Sequence, residues 1–569
     1  MFVRTTSTPN SPRKSVKVVE SVREGYKVKQ VMLLHVGIAA TEKEIENLKQ
    51  IAKEFIVQEE ARRENKNPQL SLFNPKTPKE RLAGIEARIK QKKRGRKPST
   101  TLQDVTAEDL VSLADLVEEK RIVEGIHDVA GHVYEQFGYD ELLKGAKDKN
   151  RLRDLVLMRL AEPSSKLKAQ QILDTRFSKV HDLDAIYRVM DKLYPNISTM
   201  KKITFSRAQK MLPESVDILF FDCTTLYFES TETDELRAFG YSKDHRFNTT
   251  QVVLALATNS DGLPLGYELF EGNKAEVKTL LACLEDWKKL FHIESVCFVA
   301  DRAMMSDDNL SALEAQGHTY VVAAKLRGLP QTLKKELFLE KNYRAKEFNG
   351  GLGWIGEFEY KKRRLIVSYK TDRARRDAHQ RTQVVDKIKK RLGEVGNTKK
   401  LITNQGVKKY TFSENSKTIL DDERIKQDSE WDGLHGVITN LREKKAQEVL
   451  ACYHRLWKIE ESFRINKHTL SMRPIYHFKP ERIKAHIALC FMSFSVLRHM
   501  EYQVKLTQKI SLEVMLDELM NVQASFYRHT LTDKLYRMPG KFSQNASKIY
   551  KAFQLKRNNH AQVVVQSCK

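Results

Sequence analysis

Two aspartates stand where buried strands should run out. Asp222 follows the apolar run ILFF at 218–221, and Asp301 follows VCFVA at 296–300. A carboxylate beside a buried strand is costly unless it is paired or binds a metal ion. One such Asp could simply cap a turn, but two delivered from strand ends of one sheet are harder to dismiss. A third acid, Glu460, sits in the helical segment 443–470, where Tyr453, Glu460 and Lys467 follow at seven-residue intervals. That spacing drifts by about 20° per step, so the three should share one face of a helix. Leu456, Trp457 and Phe463 flank Glu460 at i−4, i−3 and i+3, which turns it toward the sheet rather than water. Glu461 lies about 100° further round and reads as a surface charge. Two Asp and one Glu make an oxygen-only set suited to Mg2+. Two such ions about 3.5–4 Å apart can activate an attacking oxygen and stabilise a leaving one in phosphodiester cleavage. Lys467 would offer a positive charge to a phosphate.

The elements that must position these residues are legible from periodicity. VDILFFDCTTLYF, TTQVVLALAT and PLGYELFEG are three strand-like runs separated by turns rich in Gly, Asp and Asn. A helix (KAEVKTLLACLEDWKKLF), a buried strand (SVCFVAD), a second helix (DDNLSALEAQG) and a further strand (TYVVAAKL) follow. This order predicts an α/β core, a mixed sheet flanked by helices in three layers. Residues 214–327 form its first part. Residues 328–440 are β-like and basic, with EFEYKKRRLIVSY, VKKYTFSE and LHGVITN, and twelve Lys or Arg against three Asp in 361–390. They read as a β-rich insertion that interrupts the core. The core finishes with the helix in 441–475, and 476–569 reads as a helical C-terminal region.

Upstream, residues 1 to about 40 alternate as short strands. A helix then begins at the capping box of Thr41 and Glu44, with Ile45, Leu48, Ile51, Ala52 and Phe55 on one face. A polar linker ends in the run 88–97, where seven of ten residues are Lys or Arg. Arg94, Arg96 and Lys97 around Gly95 resemble arms that enter an A·T-rich minor groove, and suit a solvated linker equally well. Residues 1–100 thus form a β/helix segment with a basic linker. Residues 101–213 read as a helical domain expected to bind DNA.

A formal net charge of +25 over 569 residues favours an anionic partner through counterion release, and the length predicts two to four domains. The apolar run 486–497 is too short to span a bilayer, and the first residues lack the apolar core of a signal peptide. No membrane partner is expected. Six scattered cysteines (223, 283, 297, 452, 490, 568) without a CxxC pair fit reduced thiols and give no zinc site. Gly351, Gly353 and Gly356 spell GxGxxG, but a strand-like segment follows instead of a helix. They read as a β-turn cluster and imply no nucleotide.

Asp222, Asp301 and Glu460 resemble the DDE triad of the ribonuclease-H-like transposases of bacterial insertion sequences. Tyr453, Glu460 and Lys467 are similar to the Y-x2-R-x3-E-x6-K signature of the insertion-sequence-four superfamily. Leu456 occupies the signature's Arg position, and Arg464, one turn past Glu460, could reach the same strand of DNA. GYSKDHRFNTTQVVLAL and LFEGN, within 240–273, and MRPIYH at 472–477 extend the likeness over about 216–480. The gaps of 301 − 222 = 79 and 460 − 301 = 159 residues fit a family with a β-rich insertion before its Glu.

The resemblance implies a ribonuclease-H-like fold and cut-and-paste DNA transposition. Two Mg2+ ions, replaceable by Mn2+, would be held by Asp222, Asp301 and Glu460. Terminal inverted repeats and target DNA would be the partners, contacted by Lys467, Tyr453 and Arg464 and by Arg94, Arg96 and Lys97. It further implies a homodimer when two ends are paired, and a cytoplasmic, nucleoid-associated bacterial location. A plain nuclease on the same fold and a DNA-binding derivative that no longer cuts are the other readings. The presence of all three acids weighs against the latter.

Overall fold

The alternating N-terminal residues form an antiparallel meander, β1 (Phe2–Ser7), β2 (Lys14–Glu24) and β3 (Lys27–Ala39). Period-two alternation turns Val16 and Val18 inward, where they pack with Ile45 and Ala52 of the helical positions that follow. The structure is a computed structural model that describes residues 2–7, 14–24, 27–39, scattered positions in 45–56, and 100–566. Within that last span it omits 107–108, 110, 211–217, 241–248, 275–282, 285, 288–289, 291–296, 302–305, 349–350, 395–408 and 415–416. The capping box at 41–44 and Arg94, Arg96 and Lys97 lie outside the described residues. Residues 1–97 and 98–569 are separate units.

The second unit opens with β4 (Thr100–Asp104) and β5 (Leu116–Val123). Helices α1 (Gly131–Phe137), α2 (Ala146–Ala161), α3 (Lys166–Phe177), α4 (Leu183–Leu193) and α5 (Ile197–Lys210) follow. Next come the strands that sequence periodicity marks out: β6 (Ile218–Tyr227), β7 (Gln251–Thr258), β8 (Pro264–Glu271) and β9 (Cys297–Ala300). Helix α6 (Asp307–Ala315) returns the chain to β10 (Thr319–Ala323), parallel to β9. Every residue of β7 is buried, as a strand covered on both faces must be. One apolar layer holds Phe221, Cys223, Phe298 and Trp287, and the other holds Phe220, Leu254, Val299 and Val321. The expected three-layer α/β arrangement results.

Residues 328–440 add strands to the sheet of the core. After α7 (Gln331–Leu337), strands β11 (Tyr343–Phe348), β12 (Gly351–Tyr360) and β13 (Arg363–Tyr369) extend the same sheet. So does β16 (Leu434–Thr439), beyond a long helix α8 (Thr371–Glu394), the hairpin β14 (Thr411–Glu414) and β15 (Lys417–Leu420), and α9 (Asp422–Ser429). The nine strands run β11-β12-β13-β16-β10-β9-β6-β7-β8. The GxGxxG glycines lie inside β12, not in a turn. A Cβ on Gly356 would come within 2.8 Å of the Phe358 ring, so close packing explains that glycine.

The remainder is α10 (Ala446–His454), α11 (Trp457–Arg464), α12 (Pro480–Thr507), α13 (Leu512–Asn521), β17 (Gln523–His529), β18 (Leu535–Pro539), α14 (Gln544–Ala552) and β19 (Gln562–Gln566). The C-terminal region is therefore not all helical. Its strands complete a five-stranded sheet with the N-terminal pair of this unit, in the order β4-β19-β18-β17-β5. Residues 101–213 likewise begin with strands. Helix α12 is buried along most of its 28 residues, as a helix apolar all round should be. Among the described residues no helix is long and apolar enough to cross a membrane.

Candidate active site

Strands β6 and β9 are parallel neighbours, with Ile218 level with Cys297 and Phe220 level with Val299. Two residues further along that register, Asp222 stands level with Asp301, the residue after the last of β9. The sequence places Asp222 at a strand end, but it lies within β6. Strand β6 continues to Tyr227 because β7 still supplies ladder partners, with Leu256 opposite Asp222, and Cys223 to Leu226 remain buried. Asp222 lies just past the last β6–β9 pair. Alternation places both aspartates on the face of Phe220 and Val299, the face that Ile459 and Phe463 of α11 cover. Asp222 is half-buried and accepts the Cys223 backbone N–H at 2.7 Å, while Asp301 is exposed.

Helix α11 packs on β6 and β7, yet Glu460 itself is exposed rather than turned to the sheet. The cause is a break. Helix α10 stops at His454, residues 455–456 form a turn, and α11 starts at Trp457. Seven residues from Tyr453 therefore no longer measure one helix face. On the other side, Lys467 lies half-buried in the wide helical turn Ile465–Thr469. Tyr453 is partly buried beside His435, with ring centroids 5.1 Å apart. Arg464 is exposed, 3.7 Å from Glu461. Glu461 is no simple surface charge, since it is partly buried and accepts Nη1 of Arg498 at 3.3 Å.

Asp301 and Glu460 open onto neighbouring cavities. Asp301 lines one of about 1160 Å3, Glu460 one of about 580 Å3, and Tyr453, His435 and Arg373 line both. The walls of the two cavities carry seven Lys or Arg side chains and six Asp or Glu, and the basic composition of 361–390 signals four of the cations, Lys370, Arg373, Arg376 and Arg381, without locating them. Several of these cations are engaged internally: Arg381 holds Asp432 through two bonds at 2.5 and 2.6 Å, and Arg327 and Lys409 both hold Asp428. Lys325, Arg373 and Arg376 are exposed cations on the same walls. Sequence reasoning misses Lys325, just after β10, and His435, in β16, which meet through the non-local pairing of those two strands.

His435 adds no charge at neutral pH. Burial, then the nearby charges of Arg373 and His454, push its pKa down from 6.5 to about 4. The unfolded chain therefore binds a proton near pH 6.5 that the folded chain refuses until about pH 4. Stability is lost as pH falls through that window. We expect His435→Gln to make the loss between pH 6.5 and 4.5 shallower by roughly 2 kcal/mol. Urea unfolding of both proteins across the window measures this, and parallel pH profiles would contradict it.

The aspartate pair and Glu460 offer oxygen donors alone, the chemistry a hard divalent cation requires. Among the described residues, no three His, Cys, Asp or Glu side chains are gathered closely enough to hold a metal ion. Residues 215–495 match the family described as transposase DDE domain. No curated protein matches the chain. Among solved structures it is similar to the piggyBac transposase in its synaptic complex with hairpin DNA, at 10% identity over 70% of this chain and 77% of that one, with a TM-score of 0.35. It is also similar to the Mos1 transposase in its paired-end complex with the left transposon end, at 13% identity and a TM-score of 0.14. That likeness spans 31% of this chain and 60% of the Mos1 chain. Residues 215–495 are a transposase DDE domain, and the chain is a DDE transposase, an enzyme of metal-dependent DNA cleavage and strand transfer.

Proposed function

We propose that this transposase moves a bacterial insertion sequence by cut and paste, with Asp222, Asp301 and Glu460 as the carboxylates that hold its divalent ions. The observation that carries the reading is the register of β6 and β9, which sets two aspartates level where the strands part, on the face that α11 covers. The antiparallel β6–β8 meander followed by parallel β9 and β10 supports a ribonuclease-H-like core. The family is the insertion-sequence-four superfamily, the ions are Mg2+, with Mn2+ as a substitute, and the working form is a homodimer that pairs two transposon ends. The setting is the bacterial cytoplasm, at the nucleoid.

When bound, a pair of divalent ions activates the attacking oxygen and stabilises the leaving one. The chain supplies the rest. Asp222 in β6 and Asp301 just after β9 would supply two donors from neighbouring strands, and Glu460 would complete the set from α11, which packs on β6 and β7. Lys467, with Arg464 and Tyr453, holds the phosphates of the transposon end beside the carboxylates. The exposed cations of α8 and the run at 88–97, with Arg94, Arg96 and Lys97, add sequence-independent contacts to terminal repeat and target. Residues 101–213 contribute to binding the ends.

One site then serves cutting and joining, because both are in-line displacements at a phosphate. The test supplies pre-cut ends with a 3′-hydroxyl, Mg2+ and a supercoiled target plasmid. The wild type should join them, and Lys467→Ala should give several-fold less product through poorer DNA positioning. A wild-type protein that cuts ends but never joins pre-cut ones would be a plain nuclease.

A further inference from the structure

A buried arginine stands behind the helix that carries Glu460. Arg498, on α12, is 4% exposed. Its guanidinium reaches three elements at once. Nη1 donates to Glu461 on α11 at 3.3 Å and to Glu501 on its own helix at 2.5 Å. Nε donates to the Gly262 carbonyl at 3.1 Å and Nη2 to the Asp261 carbonyl at 3.5 Å, both in the turn between β7 and β8. A planar fork of donors suits such divided bonding, which a lysine cannot reproduce. The turn is built to receive it. Gly262 has φ +79°, and a Cβ there would sit 2.2 Å from Nη2 of Arg498. Asn259 is buried and shapes the turn by accepting the Asp261 and Leu263 backbone N–H groups at 3.0 and 2.8 Å. A second tie runs beside the first, from Lys458 Nζ to the Ser260 carbonyl at 2.8 Å.

These bonds join the helix of Glu460 to the strand next to the one that carries Asp222. Strand β7 pairs Leu256 with Asp222 and enters the turn after Thr258. Glu461, the neighbour of Glu460, is thus tethered to a point fixed relative to Asp222. We propose that Arg498 is a positioning residue for the active site, setting the placement of Glu460 relative to Asp222 by tying Glu461 to the β7–β8 turn. This rests on the reading that Glu460 completes the set of metal-holding carboxylates. Groups that orient the ligands of a metal change its affinity by about 10–100-fold when removed.

The test is Mn2+ binding, followed by loss of the free-ion EPR signal. The protein is first bound to a pre-cut end duplex lacking the 3′-hydroxyl, so no reaction occurs. Arg498→Met and Glu461→Gln should each raise the Mn2+ dissociation constant by roughly 10-fold or more. Arg498→Lys, which keeps the charge, should lie between them and the wild type. Affinity for the duplex in EDTA should stay unchanged in all three, a result that general unfolding would not give. If Arg498→Met does not fold, Glu461→Gln decides, since its side chain is partly exposed. Wild-type Mn2+ affinity in folded Arg498→Met, or in Glu461→Gln, overturns the proposal. Glu460→Gln in the same titration separates the two claims. If it binds Mn2+ as the wild type does, the assignment of Glu460 fails. If it loses Mn2+ while the Arg498 and Glu461 variants do not, only the tether fails.

Discussion

Asp222→Asn and Asp301→Asn should each reduce Mg2+-dependent cleavage of terminal-repeat DNA by more than the roughly 100-fold typical of removing an outer-shell partner. Asn keeps the shape of Asp and removes its charge, and a neutral amide is a poor donor to a hard cation. Both residues lie beyond the last pair of the β6–β9 ladder, and Asp222 pairs with Leu256 of β7 through its backbone, so the sheet does not depend on their charge. Binding of the same DNA in EDTA should therefore persist. A cleavage gel and an EDTA binding titration on each purified variant check the two halves. Normal cutting by Asp301→Asn would remove it from the site.

Replacing Lys325, Arg373 and Arg376 together by Gln should weaken binding of any duplex and flatten its salt dependence. All three are exposed on the cavity walls beside Asp301 and Glu460, so the substitutions should change stability by only about 0.5 kcal/mol each. Each phosphate that the protein ceases to neutralise lowers the slope of log K against log salt by roughly 0.9, or about 2.7 for three. Titrations at several salt concentrations give both slopes. An unchanged slope would return these side chains to a solvated surface and leave DNA binding to other parts of the chain.

The central strands are legible because their apolar runs are short and bounded by turn residues, and β7 is buried at every position. The three acids can be picked out by type, since an Asp beside a buried run is unusual in itself. Their mutual placement cannot. That Asp222 stands level with Asp301 follows from a parallel pairing 79 residues apart, which no local pattern encodes. Helix α8 escapes notice because its charged residues lie between strand-like segments, and its aliphatic positions, Val385 and Ile388, come late. The break at 455–456 is equally hidden, because Arg455 and Leu456 are both acceptable helix residues. The five-stranded sheet joins β5 to β17 across some four hundred positions, so the C-terminal strands lack any visible partner. Glu461 passes for a surface charge for the same reason, as its partner Arg498 sits on a helix that sequence shows only as apolar.

Glu460 is exposed, and the helical segment that carries it is interrupted at 455–456. Its neighbour Glu461 is the natural control, one residue away and differently placed. End cleavage by Glu460→Gln and Glu461→Gln, measured side by side at saturating Mg2+, decides whether Glu460 is the third carboxylate. Glu460→Gln should give no detectable product, and Glu461→Gln should cleave substantially, because excess ion overcomes its loss of tethering. Wild-type cutting by Glu460→Gln, with or without activity in Glu461→Gln, would contradict that role for Glu460.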